Sequence, residues 1–121
     1  MIYENNFVQI EIEKGEIPWL KIFTKDKNKE LSSCSKETKK EIFDVLDIIE
    51  IEMLSYYECE KINIASFGNY MPQVHFHIMA RFKDDSHYPE PMWGKKQREA
   101  KLHLPSFEDF CIRVVSLLEN R

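Results

Sequence analysis

The chain contains no apolar run approaching the ~18 residues that a membrane-spanning helix needs. Its first residues, Met1-Ile-Tyr-Glu-Asn-Asn, carry polar groups where a signal peptide requires an unbroken apolar stretch. A soluble, unprocessed protein without a membrane partner is expected. Cysteine is sparse: Cys34, Cys59 and Cys111 are odd in number, widely spaced and outside any Cys-x-x-Cys pattern. That argues against a disulfide framework or a zinc knuckle and fits a reducing cytoplasm. Positive charge is in deficit, with 17 Lys and Arg against 21 Asp and Glu and a formal charge of −4. Such a field repels polyanions, so DNA and RNA are not the expected partners. A small phosphorylated ligand needs only a few oriented donors and cations and stays compatible with this charge.

The 121 residues, 43% of them hydrophobic, suffice for one core, and a single domain over 1–121 is expected. From Phe7 to Glu13, Val8, Ile10 and Ile12 alternate with Gln9, Glu11 and Glu13, the period of a half-buried strand. Lys14-Gly-Glu supplies turn chemistry, and Trp19 to Thr24 reads as a second strand returning as a hairpin, with Pro18 tolerated at its start.

A Ser/Cys/Ser cluster then caps a helical pattern over 36–57. There Ile42, Val45, Leu46, Ile49, Met53 and Tyr56 form a stripe opposite Lys39, Lys40, Asp44, Asp47 and Glu50. Phe43, Ile48, Ile51 and Leu54 widen that face beyond what one sheet requires, which points to a second surface such as a subunit. Two further strands are read over 61–67 and 73–82, joined through Gly68-Asn-Tyr-Met-Pro72. The polar stretch 83–103, broken by Pro89, Pro91 and Gly94, reads as a long loop of the kind that carries function or moves. Ser106-x-x-Asp109 resembles a capping box for a closing helix whose face holds Phe107, Phe110, Cys111, Val114, Leu117 and Leu118.

The informative segment is Pro72-Gln-Val-His-Phe-His-Ile-Met-Ala-Arg-Phe82. In a strand, alternation puts Gln73, His75 and His77 on one face and Val74, Phe76 and Ile78 in the core. Same-face neighbours stand about 6.6 Å apart at Cα, close enough for two side chains to converge on one phosphate. His-x-His also suits a shared metal ion. A neutral imidazole serves as nucleophile while a neighbouring protonated one stabilises phosphate charge, so the pair is suited to nucleotidyl transfer.

The run Gln73-Val-His-Phe-His-Ile-Met79 resembles the histidine triad motif His-φ-His-φ-His-φ-φ, φ being apolar, with Gln in the first place. The wider string from Asn63 to Phe82, Pro91-Met-Trp-Gly94 and Ile17-Pro-Trp-Leu-Lys-Ile22 is similar to a short bacterial branch of that family. The resemblance implies an α+β fold: an antiparallel sheet of about five strands, one long helix and a C-terminal helix, assembled as a homodimer. It implies a nucleotide hydrolase or transferase cleaving at the α-phosphate of a purine nucleotide conjugate or dinucleoside polyphosphate, at an anhydride, ester or phosphoramidate bond. His75 takes the nucleophile's place, passing through a nucleotidyl-histidine, and His77 donates to a non-bridging oxygen. Gly68, allowing close backbone approach, and Asn69 match the phosphate-contacting loop, and Asn63 is a further polar contact. Glu11 or Glu13 would meet ribose hydroxyls. No metal or cofactor is required, because donors and cations neutralise the phosphate.

Gln73 departs from the motif, since an amide is neither an acid nor a cation. It still positions a phosphate oxygen or leaving group, and it opens the alternative of a nucleotide-binding or sensor protein with little turnover. Arg81, on the histidines' strand face by alternation, adds charge near phosphate or ends the strand as a surface residue. Trp93 packs on a base or a partner subunit, or pins its loop. Lys95, Lys96 and Arg98 read as a solvated basic run, and His87 and His103 as surface histidines.

Overall fold

The computed structural model describes residues 1–121. Its elements are β1 (Tyr3–Glu4), β2 (Val8–Ile12), β3 (Trp19–Thr24), a 3-10 turn (Leu31–Ser33), α1 (Lys36–Tyr57), β4 (Lys61–Ala65), β5 (His75–Arg81) and α2 (Phe107–Glu119). The strands form one antiparallel sheet in the order β1-β2-β3-β5-β4. This is the expected α+β arrangement. Strand β1 is not in the periodic pattern, being only two residues long; Asn5 creates it by accepting the backbone N–H groups of Phe7 and Val8, which turns the chain back onto β2.

Helix α1 begins where the cluster predicts, with Ser35 Oγ accepting the Thr38 N–H at 3.1 Å, and it ends on Glu58 in the left-handed conformation. Its stripe Ile42, Val45, Leu46, Ile49 and Met53 is buried against one sheet face, meeting Val8, Ile10, Leu20, Ile22, Phe76, Ile78 and Ala80 in a single cluster. At roughly 1.5–3 kcal/mol for each fully buried aliphatic side chain, this layer dominates the stabilisation. Tyr57 rather than Tyr56 completes the buried stripe. Phe43, Ile51 and Leu54 are exposed, as the excess width of the face predicts.

Helix α2, capped by Ser106 Oγ on the Asp109 N–H at 3.1 Å, buries Phe110, Cys111, Val114 and Leu118. Leu117 faces outward instead, 45% exposed. No helix is long and apolar enough to cross a membrane. All three cysteines are free.

Because both helices contribute to the core on one side, the odd-numbered residues of β3 and β5 lie on the other. The register pairs Trp19 with Met79, Lys21 with His77 and Phe23 with His75 across the centre of this uncovered face. Between β5 and α2 the chain forms no helix or strand, as expected for residues 83–103. Part of it nevertheless packs: Asp85 is 0% exposed and Ser86 4%.

Candidate functional site

Eleven residues line a cleft of about 450 Å3 on the uncovered face: Glu13, Lys21, Phe23, Phe67, Gly68, Asn69, Tyr70, Met71, His75, His77 and Trp93. Strand β5 supplies the two imidazoles, β3 supplies Lys21 and Phe23, and the β4–β5 loop supplies residues 67–71. Gly68 adopts φ 137°, and a Cβ there would meet only ordinary contacts at 3.5 Å or beyond. The backbone angle, not crowding, is therefore what requires glycine.

The two rings lie 5.3 Å apart, and their hydrogen bonds give them opposite characters. His75 stacks on Phe23 at 4.9 Å with 21° between planes, and its Nδ1 lies 2.8 Å from the Gln73 carbonyl oxygen. A carbonyl only accepts, so Nδ1 carries the proton and neutral His75 presents a lone pair at Nε2. His77 is the reverse. Trp19 Nε1 lies 2.9 Å from His77 Nδ1, and an indole N–H only donates, so Nδ1 accepts and the proton resides on Nε2.

Trp19, Phe67 and Trp93 surround the His77 ring at 5.7, 6.3 and 4.9 Å between centroids. Burial in this aromatic box, with the charges of His75 and Lys21 adding to it, lowers the His77 pKa to about 4. His77 is thus a neutral donor throughout the neutral range, not the protonated neighbour that the sequence leads one to expect, because burial disfavours its charged form. Because this folded-state value lies below the unfolded reference of 6.5, the folded chain binds fewer protons as pH falls between them, and stability is lost from about pH 6.5 down to about 4. Full burial of the effect corresponds to at most about 3 kcal/mol. Urea unfolding of the wild type and of His77→Gln at pH 7 and pH 4.5 should show their stability difference narrowing at the lower pH; a constant difference would contradict a neutral, buried His77.

The structure brings His75, His77, Gly68, Asn69, Glu13 and Trp93 together around the cleft, but not Gln73, Asn63, Arg81 or Glu11. Gln73 precedes β5, which starts at His75, so strand alternation does not govern it. Its amide donates to the Thr24 carbonyl at 2.9 Å, and what it offers the site is its backbone oxygen on His75. Glu11 is held by Gln9 and by the chain's N-terminus, whereas Glu13 lies 3.2 Å from Lys21 Nζ. Trp93 packs on Trp19, Phe67 and His77 while remaining 49% exposed, so it both pins its loop and borders the cleft.

Arg81 lies on the histidines' face, but the loop after β5 folds over that end, leaving it 1% exposed. Its guanidinium donates to both carboxylate oxygens of Asp85 at 2.9 and 3.1 Å, to Asn63 Oδ1 at 2.7 Å and to the Glu90 carbonyl at 2.7 Å. Asn63 is thereby committed to Arg81. It lines a separate hollow, with Phe67 and Trp93 forming a wall common to both. Asp85 also accepts the N–H groups of Phe82, His87 and Tyr88. Burial alone would raise its pKa, but Arg81 and these three amides hold it down to about 2. Arg81 thus neither lines the cleft nor ends the strand as a surface residue; it ties down the loop that carries Trp93.

Phe67, Tyr70 and Met71 of the β4–β5 loop, and Lys21, Phe23 and Trp19 of β3, are the site residues that the sequence reading passed over. Alternation in β3 marks the last three as one face, but only the β3–β5 register shows that the histidines share it. Asp85 had no signal, being one acidic residue in a polar loop. No cluster of three or more His, Cys, Asp or Glu side chains is arranged to hold a metal ion.

No protein-family profile and no curated protein sequence matches the chain. Solved structures do. A histidine triad protein from Bradyrhizobium japonicum superposes with a TM-score of 0.74 at 24% identity, covering 98% of this chain and 87% of that one. One from Sinorhizobium meliloti gives 0.73 at 23% identity over 99% and 87%. A hypothetical histidine triad nucleotide-binding protein from Sulfolobus tokodaii gives 0.63 at 14% identity over 98% and 83%. The chain has the fold of the histidine triad proteins.

Proposed function

We propose that this chain is a histidine triad protein acting as a nucleotide hydrolase or transferase, with His75 as nucleophile and His77 as phosphate donor. The observation that carries the reading is the pair of opposed tautomers: a lone pair at His75 Nε2 and an N–H at His77 Nε2, on rings 5.3 Å apart that line one cleft. Nucleophile and donor then meet one phosphorus and one of its non-bridging oxygens without any proton having to move first. The like fold of the hypothetical histidine triad nucleotide-binding protein from Sulfolobus tokodaii supports a nucleotide as ligand. Phe67, Tyr70 and Trp93 offer exposed ring surface for a purine base, Gly68 and Asn69 meet the phosphate, and Glu13 accepts from ribose hydroxyls.

His75 attacks the α-phosphorus in line, giving a nucleotidyl-histidine whose Nδ1–H remains on the Gln73 carbonyl, and water resolves it. The chemistry needs no metal, so AMP release from diadenosine polyphosphates or an adenosine phosphoramidate should persist in EDTA. Absence of release with every such substrate, despite thermal stabilisation by AMP, would favour the second reading, a nucleotide binder or sensor. That reading rests on the Gln73 amide, which occupies the motif's first position, bonds to Thr24 and brings no acid to the cleft.

Trp19→Phe should preserve the ring and remove the donor that sets the His77 tautomer. A neutral hydrogen bond contributes up to about 1.5 kcal/mol, so kcat is expected to fall by up to about tenfold with KM little changed. Unaltered kcat would remove Trp19 from the account. Residues 1–121 form a single domain on this reading, working in the cytoplasm as a homodimer. Phe43, Ile51 and Leu54 on α1 and Ile64 on β4, a strand paired on one side only, are the exposed apolar groups that a second copy would cover.

A further inference from the structure

Cleavage at the α-phosphate leaves negative charge on the departing group, and most side chains that would offset it here are already committed. The Gln73 amide donates to Thr24. Arg81 is enclosed with Asp85. His77 is neutral, with its Nδ1 taken by Trp19. Among the residues lining the cleft, Lys21 is the only lysine or arginine. Its position is fixed by the sheet: it stands directly across from His77 in the β3–β5 register, with Nζ 5.8 Å from the Phe23 ring that supports His75. Its partner is weakly held, since the 3.2 Å contact to Glu13 joins side chains 23% and 37% exposed. A pair of that kind contributes roughly 0–1 kcal/mol and exchanges readily for a phosphate.

From this we propose that Lys21 is the catalytic residue that neutralises the leaving group, giving up Glu13 for an anionic phosphate, and that the site therefore selects nucleotide anhydrides over nucleotide phosphoramidates. The inference rests on the reading of His75 as nucleophile. As the His75 Nε2–P bond forms, the bridging P–O bond breaks and its electron pair stays on oxygen, which becomes a terminal oxygen of the departing phosphate. That group leaves without receiving a proton, and the Lys21 ammonium balances its charge. Water then attacks phosphorus, the Nε2–P pair returns to His75, and the water's proton passes to solvent. An amine leaving group differs, because its nitrogen must gain a proton as the P–N bond breaks.

Three substrates read this out for the wild type, Lys21→Met, Lys21→Arg and His75→Ala: diadenosine triphosphate, an adenosine 5′-phosphoramidate, and the p-nitrophenyl ester of AMP. Nitrophenolate departs unprotonated but carries no phosphate charge. Lys21→Met is expected to lower kcat/KM on the anhydride on the order of 100-fold, with kcat itself falling, and on the nitrophenyl ester by less than about threefold. Lys21→Arg should recover most of the loss, and the wild type should prefer the anhydride to the phosphoramidate by about 100-fold. Equal losses on anhydride and ester, or a phosphoramidate cleaved as fast as the anhydride, would overturn the assignment of Lys21 while leaving His75 in place. Ester hydrolysis that survives in His75→Ala, or no release from any of the three, would overturn the underlying reading as well.

Discussion

Asp85→Ala is expected to cost about 3–5 kcal/mol of stability, because it leaves the Arg81 guanidinium charged, buried and short of two hydrogen bonds. In a chain of this size that corresponds to a fall in melting temperature on the order of 10 °C or more. The exposed Lys40–Asp44 pair on α1 offers a contrast: Asp44→Ala should change stability by no more than about 0.5 kcal/mol. The Asp85 effect should also reach the cleft. Asp85 accepts from Phe82, His87 and Tyr88, its own carbonyl accepts from Arg98, and Ser86 bonds to Glu16, so the substitution loosens the loop holding Trp93 against His77. Tryptophan emission should shift to the red under native conditions. Since the carboxyl titrates at about 2, below its usual 3.8, the pair's contribution is intact above about pH 4 and is lost as pH falls towards 2. Melting temperatures of Asp85→Ala within a degree of wild type would show that the guanidinium finds water or another partner and that the knot is not structural.

His75→Ala should have the opposite profile. Turnover is expected to drop by on the order of 1,000-fold or more, as when a covalent nucleophile is removed. The fold should be nearly unaffected, because the ring contributes a stack on Phe23 and one bond to a backbone oxygen rather than a share of the core. AMP should still raise the variant's melting temperature through the remaining contacts. Retention of more than a tenth of the wild-type rate would exclude His75 as nucleophile. If His77 donates to the non-bridging oxygen as proposed, His77→Ala should lower kcat about 100–1,000-fold, the usual loss for one oxyanion donor.

Much of this arrangement was legible from short-range pattern. The α1 stripe, the hairpin of β2 and β3 and the His-x-His alternation each depend on residues close in sequence, and all three stand where periodicity puts them except at the end of the stripe, where Tyr57 takes the place expected for Tyr56. Legibility failed where an outcome depends on partners distant in sequence. Strand alternation carried Gln73 to the histidines' face, but the strand begins two residues later and Thr24, 49 residues away, captures the amide. Arg81 is on the predicted face, yet Asp85 and the carbonyl of Glu90 fold over it and withdraw it from the cleft. Lys21 and Trp19 became site residues only through the β3–β5 register, a long-range pairing that no local pattern encodes. The resemblance to histidine triad proteins anticipated the fold that the solved structures share, but residue by residue it could not distinguish Glu13 from Glu11, or foresee that Asn63 serves Arg81.

The central claim is covalent: His75 Nε2 becomes bonded to the α-phosphorus. Rapid mixing of the protein with the p-nitrophenyl ester of AMP, quenching in alkali where phosphoimidazoles survive, and intact mass spectrometry should show a mass increase of one adenylyl group. Peptide mapping should place it on His75, and His75→Ala should lack it. An adduct on another residue, or a burst of nitrophenolate in step with free AMP and no protein-bound nucleotide at any quench time, would contradict the account.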